Sequence, residues 1–298
     1  MKTGMIGLGA MGAPMARNLA QHGGLAAVWN RTPERAAALA AELGVIHAAT
    51  PSALAAQADA VLLCVSADAD VLEVVDALLP GLRPGAIVID LSTVGGDTAR
   101  RAASRVRAAG GEFLDAPVTG GVEGARNRTL AIMVGGEAGV LERARPVLQA
   151  LGTRIVHMGE TGMGQAAKAV NQVLCAGINE AVTEALAFGE RMGLDMPRLI
   201  EVVSGGAAGN WFLEKRGLSM TRGVFQPGFK LALHHKDLKI CLAMAETLGM
   251  RLELAERTLK EYAELMEQGH GEDDISALYR LKRPNPDTSS VCTTGSAR

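Results

Sequence analysis

Aromatic side chains and long apolar runs are scarce in this 298-residue sequence. Phe, Trp and Tyr make up 3% of the chain although 48% of it is hydrophobic, so aliphatic side chains and alanine must fill the core. No uninterrupted apolar run reaches the roughly 18 residues that a transmembrane helix needs. The opening stretch MKTGMIGLGAMG is interrupted by glycines and lacks the apolar segment of a secretory signal. We therefore expect a soluble protein without a membrane partner.

An excess of either charge is also absent, and cysteine is rare. The formal net charge is −2, which argues against a general nucleic-acid-binding protein. Cys64, Cys175, Cys241 and Cys292 lie far apart, without a CxxC pair or a histidine at metal-ligand spacing. Such spacing is typical of reduced thiols in a cytoplasmic protein. The sequence therefore predicts a cytoplasmic location and no metal site.

Short apolar runs alternate with helical patterns over the first half of the chain. The predicted strands include GMIGLG, LAAVWN, ADAVLLCVS, AIVIDLST, GEFLDAPV, TLAIMVGG and RIVHMG, and helical patterns such as APMARNLAQHG and PERAAALAAELG lie between them. This alternation is typical of βαβ units. It predicts an α/β domain with a Rossmann-type, parallel doubly wound sheet over residues 1–161.

The strand pattern ends at Gly162, and only helical patterns follow. A long, largely buried helix is predicted over roughly 165–192, another begins near Met196, and LALHHKDLKICLAMAETLG and LELAERTLKEYAELMEQG are two more. We expect an all-α domain over residues 162–284. Residues 285–298 are small, polar and without periodicity, and we expect them to be disordered.

A glycine-rich motif of the form GxGxxG follows the first predicted strand and opens a helix. Its six residues are Gly7, Leu8, Gly9, Ala10, Met11 and Gly12. In this setting the first glycine permits a tight turn, the second admits a pyrophosphate, and the third allows close helix–strand packing. The helix N-terminus then offers unpaired N–H groups to the phosphates. We predict a dinucleotide-binding site here.

The end of the second predicted strand bears on the choice between NAD and NADP. NAD sites usually carry Asp or Glu at this point to bind the ribose hydroxyls. This chain has Asn30, Arg31 and Thr32 instead. Arg31 can pair with a 2′-phosphate, and its two neighbours can hydrogen-bond to it. We therefore expect NADP(H) to be preferred, with NAD(H) as a second choice.

Two further strand ends carry polar or glycine-rich sequences, IDLST and DAPVTGG. The carboxyl ends of the strands of an open α/β sheet are where its ligands bind. Thr119 supplies a hydroxyl there, while Gly120 and Gly121 supply backbone N–H groups that no side chain obstructs. This set suits a small carboxylate-bearing substrate.

The stretch GMGQAAKAVNQ places a single lysine, Lys168, near the start of the long helix. Asn171 and Gln172 lie on the same helical face, at positions i+3 and i+4. An ammonium group here can donate a proton to a carbonyl oxygen as hydride arrives, and positioned acid–base catalysis of this kind contributes on the order of 10²–10⁴-fold. We predict Lys168 as the general acid/base.

Taken in order, GLGAMG, IDLST, DAPVTGG, GMGQAAKAVNQ and FKLALHHKDLKI resemble the β-hydroxyacid dehydrogenase, or 3-hydroxyisobutyrate dehydrogenase, family. The resemblance extends from residue 1 to about residue 283. It implies that Lys168 is the catalytic acid/base, and that Thr119, Gly120 and Gly121 bind the substrate carboxylate, with threonine in place of the commoner serine.

The resemblance also implies further site residues. An amide four residues after the lysine assists the substrate and is usually asparagine; here Gln172 holds that position and Asn171 precedes it, so either could contact substrate. Val65, Thr93 and Lys236 are expected to contact the cofactor, with Thr93 and Lys236 near its nicotinamide end, and Phe229 and Asp237 are expected to contact the substrate.

An activity and an assembly follow from the same resemblance. It implies a homodimer or homotetramer that interconverts small 3-hydroxy acids and their semialdehydes, such as 3-hydroxyisobutyrate, tartronate semialdehyde, glyoxylate or succinic semialdehyde. The NRT segment is more similar to the NADPH-preferring, semialdehyde-reducing branch than to the NAD-dependent one.

Other classes fit the residues less well. Phosphogluconate dehydrogenases share the fold but are much longer, and imine reductases usually lack the lysine. The pair His234-His235 has no third metal ligand at the usual spacing. Two alternatives remain: a non-catalytic dehydrogenase-like scaffold, and an NAD-dependent 3-hydroxyisobutyrate or serine dehydrogenase.

Overall fold

The computed structural model of the chain describes residues 1–283. Its strands are β1 (Thr3–Ile6), β2 (Leu25–Trp29), β3 (Ile46–His47), β4 (Ala60–Leu63), β5 (Ile87–Asp90), β6 (Glu112–Asp115), β7 (Val118–Thr119), β8 (Leu130–Gly135) and β9 (Gly152–Gly159). Its first seven helices are α1 (Gly12–Gln21), α2 (Pro33–Leu43), α3 (Pro51–Ala55), α4 (Asp68–Leu78), α5 (Gly96–Ala108), α6 (Gly121–Asn127) and α7 (Ala138–Gln149). The predicted disordered tail, 285–298, lies outside the described residues.

The remaining helices follow without an intervening strand. They are α8 (Met163–Arg191), α9 (Met196–Ser204), α10 (Trp211–Thr221), α11 (Leu231–Thr247), α12 (Glu253–Glu267) and the short α13 (Tyr279–Lys282). None of the helices within residues 1–283 is long and apolar enough to cross a membrane. The predicted order, an α/β domain followed by an all-α domain, is confirmed.

The nine strands form one sheet in the order β3-β2-β1-β4-β5-β6-β8-β7, with β9 on the other side of β8. From β3 to β6 all neighbours are parallel, as predicted for a Rossmann-type sheet. Beyond β6 the sheet is mixed, because β8 runs antiparallel to both β6 and β7. The chain reverses through the short β7 and α6, so the predicted Rossmann-type sheet has an antiparallel step at this end, which the sequence did not indicate.

Alternate residues of the central strands enter two separate hydrophobic clusters. Met5, Leu62 and Ile89 belong to one cluster, whereas Ile6 and Val61 belong to the other. Because successive side chains of a strand point to opposite faces, these clusters cover the two faces of the sheet. Burial on both faces explains why the strands are nearly continuous apolar runs without polar alternation.

The chain divides into two compact units. The first comprises Met1–Asn171 with Ala243–Gly249, and the second comprises Gln172–Leu242 with the chain from Met250 onward. A third hydrophobic cluster forms the core of the second unit, and it includes the fully buried Tyr262 and Tyr279. Each unit therefore has its own core.

Candidate active site

The glycine-rich loop has the backbone geometry that a dinucleotide site requires. Gly7 has a φ of +89°, and a Cβ there would lie 2.2 Å from the carbonyl oxygen of Cys64. A Cβ on Gly12 would lie 1.8 Å from the Gly7 carbonyl oxygen, so α1 packs directly on the loop. Gly9 differs, because a Cβ there would meet no atom within 4 Å. The loop thus leaves open space for a phosphate at Gly9, beside the start of α1, which no side chain caps.

Asn30 fixes this loop to the end of β2. Its Oδ1 accepts a hydrogen bond from the Leu8 N–H at 2.9 Å, and its Nδ2 donates to the Thr32 carbonyl oxygen at 3.2 Å. The sequence suggested that Asn30 binds a 2′-phosphate directly. In the structure its amide shapes the loop that would hold the cofactor.

Arg31 is paired with a carboxylate from a different part of the chain. Its guanidinium lies 2.9 Å from Oδ1 of Asp70 on α4, and the arginine side chain is 77% exposed. The sequence around β2 offers no carboxylate, but the fold brings one there. Exposed ion pairs contribute little free energy, so a phosphate could displace this one.

The ends of β4 and β5 are tied together at the same edge of the sheet. The Val65 N–H donates to Oγ of Ser92 at 3.0 Å, and the Ser92 N–H donates to Oδ1 of Asp90 at 2.9 Å. Thr93 is half-buried beside Ser92. Two predicted cofactor contacts, Val65 and Thr93, therefore lie on either side of one buried serine.

Asp90 and Asp115 are fully buried and face each other in register at the ends of β5 and β6. Burial raises the pKa of Asp90 to about 7, and its Oδ2 has no hydrogen-bond partner within the described residues. Burial also raises the pKa of Asp115, although hydrogen bonds from Gly162 and Gln165 oppose that shift. Two neighbouring carboxyl groups in low dielectric do not readily ionise together.

The loop predicted to bind a carboxylate begins on β7. Thr119 pairs with Ala131 across the antiparallel ladder and is half-buried. Gly120 and Gly121 follow with φ values of +127° and +63°, a region that L side chains rarely adopt. The turn therefore requires glycine, which keeps the two N–H groups free of neighbouring side chains.

Lys168 lies on the first turns of α8, and its side chain is buried, at 7% exposure. Asp115 holds the start of this helix, because its Oδ1 accepts from the Gly162 N–H at 2.8 Å and its Oδ2 from the Gln165 N–H at 3.0 Å. A Cβ on Gly164 would lie 2.5 Å from the Met133 carbonyl oxygen, so the helix packs directly on the sheet.

The rest of α8 is less buried than the sequence predicted. Val170 is 62% exposed and Leu174 is 60% exposed within the single chain. Lys168 and Gln172 are buried on the opposite side of the helix. The helix is therefore two-sided, and its lysine is on the buried side.

The second unit groups three of the predicted site residues. Nε2 of Gln172 donates to Oδ2 of Asp237 at 2.6 Å, and Nζ of Lys236 lies 2.7 Å from Oδ1 of the same carboxylate. The fully buried His234 lies 3.2 Å from the Gln172 carbonyl oxygen and 3.1 Å from the Tyr262 hydroxyl. The half-buried Phe229 ring lies 5.4 Å from the His234 ring. His234 thus joins α11 to α8 and the aromatic core.

Asp115, Gln165 and Asp70 were not identified as site residues from the sequence. Their partners lie between 39 and 73 residues away along the chain, and no local pattern marks such pairs. Within residues 1–283, no group of three or more His, Cys, Asp or Glu side chains is placed to hold a metal ion.

Comparison with known proteins agrees with this geometry. Residues 2–159 match the family model of the NAD binding domain of 6-phosphogluconate dehydrogenase. Residues 162–282 match the model described as NAD-binding of NADP-dependent 3-hydroxyisobutyrate dehydrogenase. Together the two models cover nearly all of the described chain.

Individual relatives carry several names. The chain is 39% identical to 2-hydroxy-3-oxopropionate reductase of Escherichia coli over 85% of this chain and 87% of that protein. It is 35% identical to the NAD-dependent L-serine dehydrogenase of Pseudomonas aeruginosa over 94% and 97% of the two chains. A solved structure of Mycobacterium tuberculosis 3-hydroxyisobutyrate dehydrogenase with L-serine has a TM-score of 0.85 at 33% identity, covering 95% of this chain and 99% of that one. The chain therefore belongs to the 3-hydroxyisobutyrate dehydrogenase, or β-hydroxyacid dehydrogenase, family of oxidoreductases, and its first half is an NAD(P)-binding domain.

Proposed function

We propose that the protein is an NADP(H)-dependent oxidoreductase that interconverts a small 3-hydroxy acid and its semialdehyde, with Lys168 as the general acid/base. The observation that carries this proposal is the position of Lys168. It is buried on a helix whose first turn is hydrogen-bonded to Asp115, at the carboxyl edge of an NAD(P)-binding sheet. That edge is where a parallel sheet binds its ligands.

Lys168 handles the proton in the proposed reaction. NADPH, when bound, supplies a hydride to the carbonyl carbon of the semialdehyde. The Lys168 ammonium donates its proton to the carbonyl oxygen, giving the alcohol and a neutral amine that regains a proton from solvent. In the oxidative direction the neutral amine accepts the proton from the hydroxyl group. Proton transfer by a positioned side chain contributes on the order of 10²–10⁴-fold to the rate.

The substrate carboxylate is assigned to the loop after β7. In this proposal the Thr119 hydroxyl and the N–H groups of Gly120 and Gly121 bind it. The positive φ values of both glycines support this assignment, because this backbone conformation favours glycine, which has no side chain to cover the N–H groups. This contact would fix the carbonyl group relative to Lys168.

The family resemblance assigns further substrate contacts to residues on α8 and to residues on or just before α11. Asn171 and Gln172 are both candidates for a contact to the substrate hydroxyl, and Phe229 and Asp237 are assigned to the substrate side. The hydrogen bond from Gln172 to Asp237 supports their acting together. Lys236, which pairs with Asp237, is assigned to the cofactor.

The preference for NADP(H) rests on Arg31 and Thr32, with Val65 and Thr93 assigned to the cofactor further along the same edge. Arg31 is exposed and can exchange its ion pair with Asp70 for one with a 2′-phosphate. Asn30 contributes by holding the glycine-rich loop.

A second candidate is an NAD-dependent 3-hydroxyisobutyrate or serine dehydrogenase. The carboxylate of Asp70 beside Arg31 favours it, because an acidic side chain near the end of β2 is the usual partner of the ribose hydroxyls in NAD sites. The relative from P. aeruginosa is such an enzyme by name.

The substrate class follows from the relatives and the site together. The named relatives include a 2-hydroxy-3-oxopropionate reductase, a 3-hydroxyisobutyrate dehydrogenase and an L-serine dehydrogenase. The substrates in these names are small carboxylates with a hydroxyl or carbonyl group nearby. The proposed carboxylate-binding loop after β7 would bind such a carboxylate. We also propose a cytoplasmic homodimer or homotetramer, as the family resemblance implies.

The experiment is an absorbance assay of NADPH and NADH oxidation with glyoxylate, succinic semialdehyde, tartronate semialdehyde and methylmalonate semialdehyde. We expect one aldehyde to be reduced faster than the rest, and faster with NADPH. Faster turnover with NADH would favour the second candidate. Without any oxidation, 3-hydroxyisobutyrate and serine would be tested with NADP⁺ and NAD⁺, and inactivity there too would contradict both proposals in favour of a scaffold.

A further inference from the structure

The side-chain amide of Gln165 spans the backbone on both sides of Thr93. Its Nε2 donates to the Ser92 carbonyl oxygen at 2.8 Å, and its Oε1 accepts from the Val94 N–H at 3.2 Å. Gln165, Ser92 and Val94 are almost completely buried, at 1%, 2% and 1% exposure. One amide therefore satisfies a donor and an acceptor that water does not reach.

The backbone of Gln165 is hydrogen-bonded to the end of β6, the strand that precedes the proposed carboxylate-binding loop. Its own N–H donates to Oδ2 of Asp115 at 3.0 Å, and the neighbouring Gly164 leaves no space between α8 and the strands. Asp115 ends β6, three residues before the start of β7, the strand that carries Thr119. Gln165 thus links the loop after β5, which its side chain contacts, to the end of β6, which its backbone N–H contacts.

Lys168 is three residues after Gln165, about one helical turn further along α8. Residues at this spacing share a face of the helix, so a displacement of the first turn also displaces the lysine. The Gln165 side chain therefore connects the backbone on both sides of Thr93 to the helical turn that carries Lys168, and its hydrogen bonds fix the distance between them.

We propose that Gln165 is a positioning residue that sets the distance between Thr93, at the nicotinamide end of the cofactor site, and the ammonium of Lys168. This inference rests on the proposed function. Hydride and proton must reach the two ends of one carbonyl group in the same step. A misplacement of about 1 Å between the reacting groups is enough to cost on the order of 10²-fold in rate.

The test compares Gln165→Met with Gln165→Glu. Methionine has a similar length but makes neither hydrogen bond. Glutamate keeps an acceptor for the Val94 N–H but places a carboxylate oxygen against the Ser92 carbonyl oxygen. The matched control is Gln57→Met, which removes a side-chain hydrogen bond to the Ala53 carbonyl oxygen near the amino-terminal edge of the sheet.

Three quantities are measured on the full chain: kcat with the best semialdehyde, the dissociation constant of NADPH, and hydrogen exchange of the Val94 amide without cofactor. We expect Gln165→Met to lower kcat by about 10- to 100-fold, with NADPH affinity changed less than about threefold, as misplacement of the reacting groups requires. The Val94 amide should exchange faster, whereas Gln57→Met should change neither kcat nor Val94 exchange. Gln165→Glu should give an intermediate kcat, and it serves as the test if the methionine variant does not fold.

An unchanged kcat in Gln165→Met, with the Val94 amide deprotected, would overturn the positioning role while leaving the proposed function intact. A loss of thermal stability alone, with kcat per folded molecule unchanged, would also overturn it. If the wild-type enzyme oxidised no cofactor with any substrate, the proposed function would fail and the inference with it.

Discussion

At the scale of single residues, short polar side chains at the carboxyl edge of the sheet mainly hold backbone in place. Asn30 holds the glycine-rich loop at Leu8, and Ser92 joins the ends of β4 and β5. Their residue types are visible in the sequence, but their partners are not, because each partner is brought close only by the folded sheet. The sequence was therefore better at locating the cofactor edge than at assigning individual contacts.

Arg31 gives a prediction about cofactor choice. Arg31→Ala should weaken NADPH binding by roughly 1.5–3 kcal/mol, the usual range for a charge-assisted hydrogen bond, and leave NADH binding nearly unchanged. Titration of both cofactors checks it. Arg83→Ala is the control, because Arg83 forms another solvent-exposed ion pair, with Asp59, whose other carboxylate oxygen accepts from the Lys2 N–H. Equal losses for NADPH and NADH would rule out recognition of the 2′-phosphate by Arg31.

Asp90 gives a prediction about stability and pH. Its pKa is raised from 3.8 to about 7 in the folded state, so between these values the folded chain binds more protons than the unfolded chain. The contribution of Asp90 to the free energy of unfolding therefore falls as pH rises through this window, by at most about 1.4 kcal/mol per pH unit. Asp90→Asn keeps an acceptor for the Ser92 N–H and removes the titration.

Melting temperatures of both proteins between about pH 4 and pH 7, which is roughly that window, test this. The advantage of Asp90→Asn over wild type should grow as pH rises. The pKa of Asp115 is raised as well, and the two carboxyl groups are neighbours, so the difference between the two proteins reports the titration of Asp90 together with its coupling to Asp115. Parallel curves for the two proteins would show that Asp90 does not titrate in this range.

At the scale of secondary-structure elements, strongly periodic segments were predicted well. The glycine motif, the buried strands and the long helices α8, α11 and α12 lie close to their predicted positions. Helices α4 and α10 were not assigned, and α7 continues through Pro146, a residue that usually interrupts helices. The strand β8 was predicted, but its antiparallel direction was not, because the chain reverses through β7, which has only two residues and no periodic pattern.

The start of α8 gives a prediction at this scale. In the native chain, each carboxylate oxygen of Asp115 accepts a hydrogen bond from one backbone N–H, that of Gly162 or that of Gln165. Asp115→Asn replaces one of these oxygens by an NH₂ group, so one of the two N–H donors loses its acceptor. We expect a loss of about 1–3 kcal/mol in the free energy of unfolding, measured by denaturant titration. Hydrogen exchange at Gly162 and Gln165 should accelerate as well.

A carboxylate in the first turn of another helix is the control for Asp115. Asp97 occupies the first turn of α5 but is 86% exposed and pairs only with Arg100 three residues later. Asp97→Asn should change stability by less than about 0.5 kcal/mol, as is usual at exposed sites. If the two variants lost equal stability, burial of Asp115 would not be what anchors α8.

At the scale of the whole molecule, the order of the five sequence blocks was enough to identify the family, because each block falls at a strand end or on a helix of the described fold. The substrate was not identifiable in the same way. A small carboxylate can be bound by backbone N–H groups and one hydroxyl, and such a loop does not select among semialdehydes of similar size. The two residues proposed to decide between NADP and NAD, Arg31 and Asp70, lie 39 residues apart, so the sequence near β2 shows only one of them.

The central claim is that Lys168 supplies the proton in a reaction that this molecule catalyses. The most direct measurement is turnover of the best semialdehyde by Lys168→Ala, alongside titration of the same variant with NADPH. The account predicts that kcat falls by at least about 10²-fold while NADPH still binds, because the lysine acts on the proton and not on cofactor affinity. Near-normal turnover in Lys168→Ala would contradict the assignment of Lys168 as the acid/base.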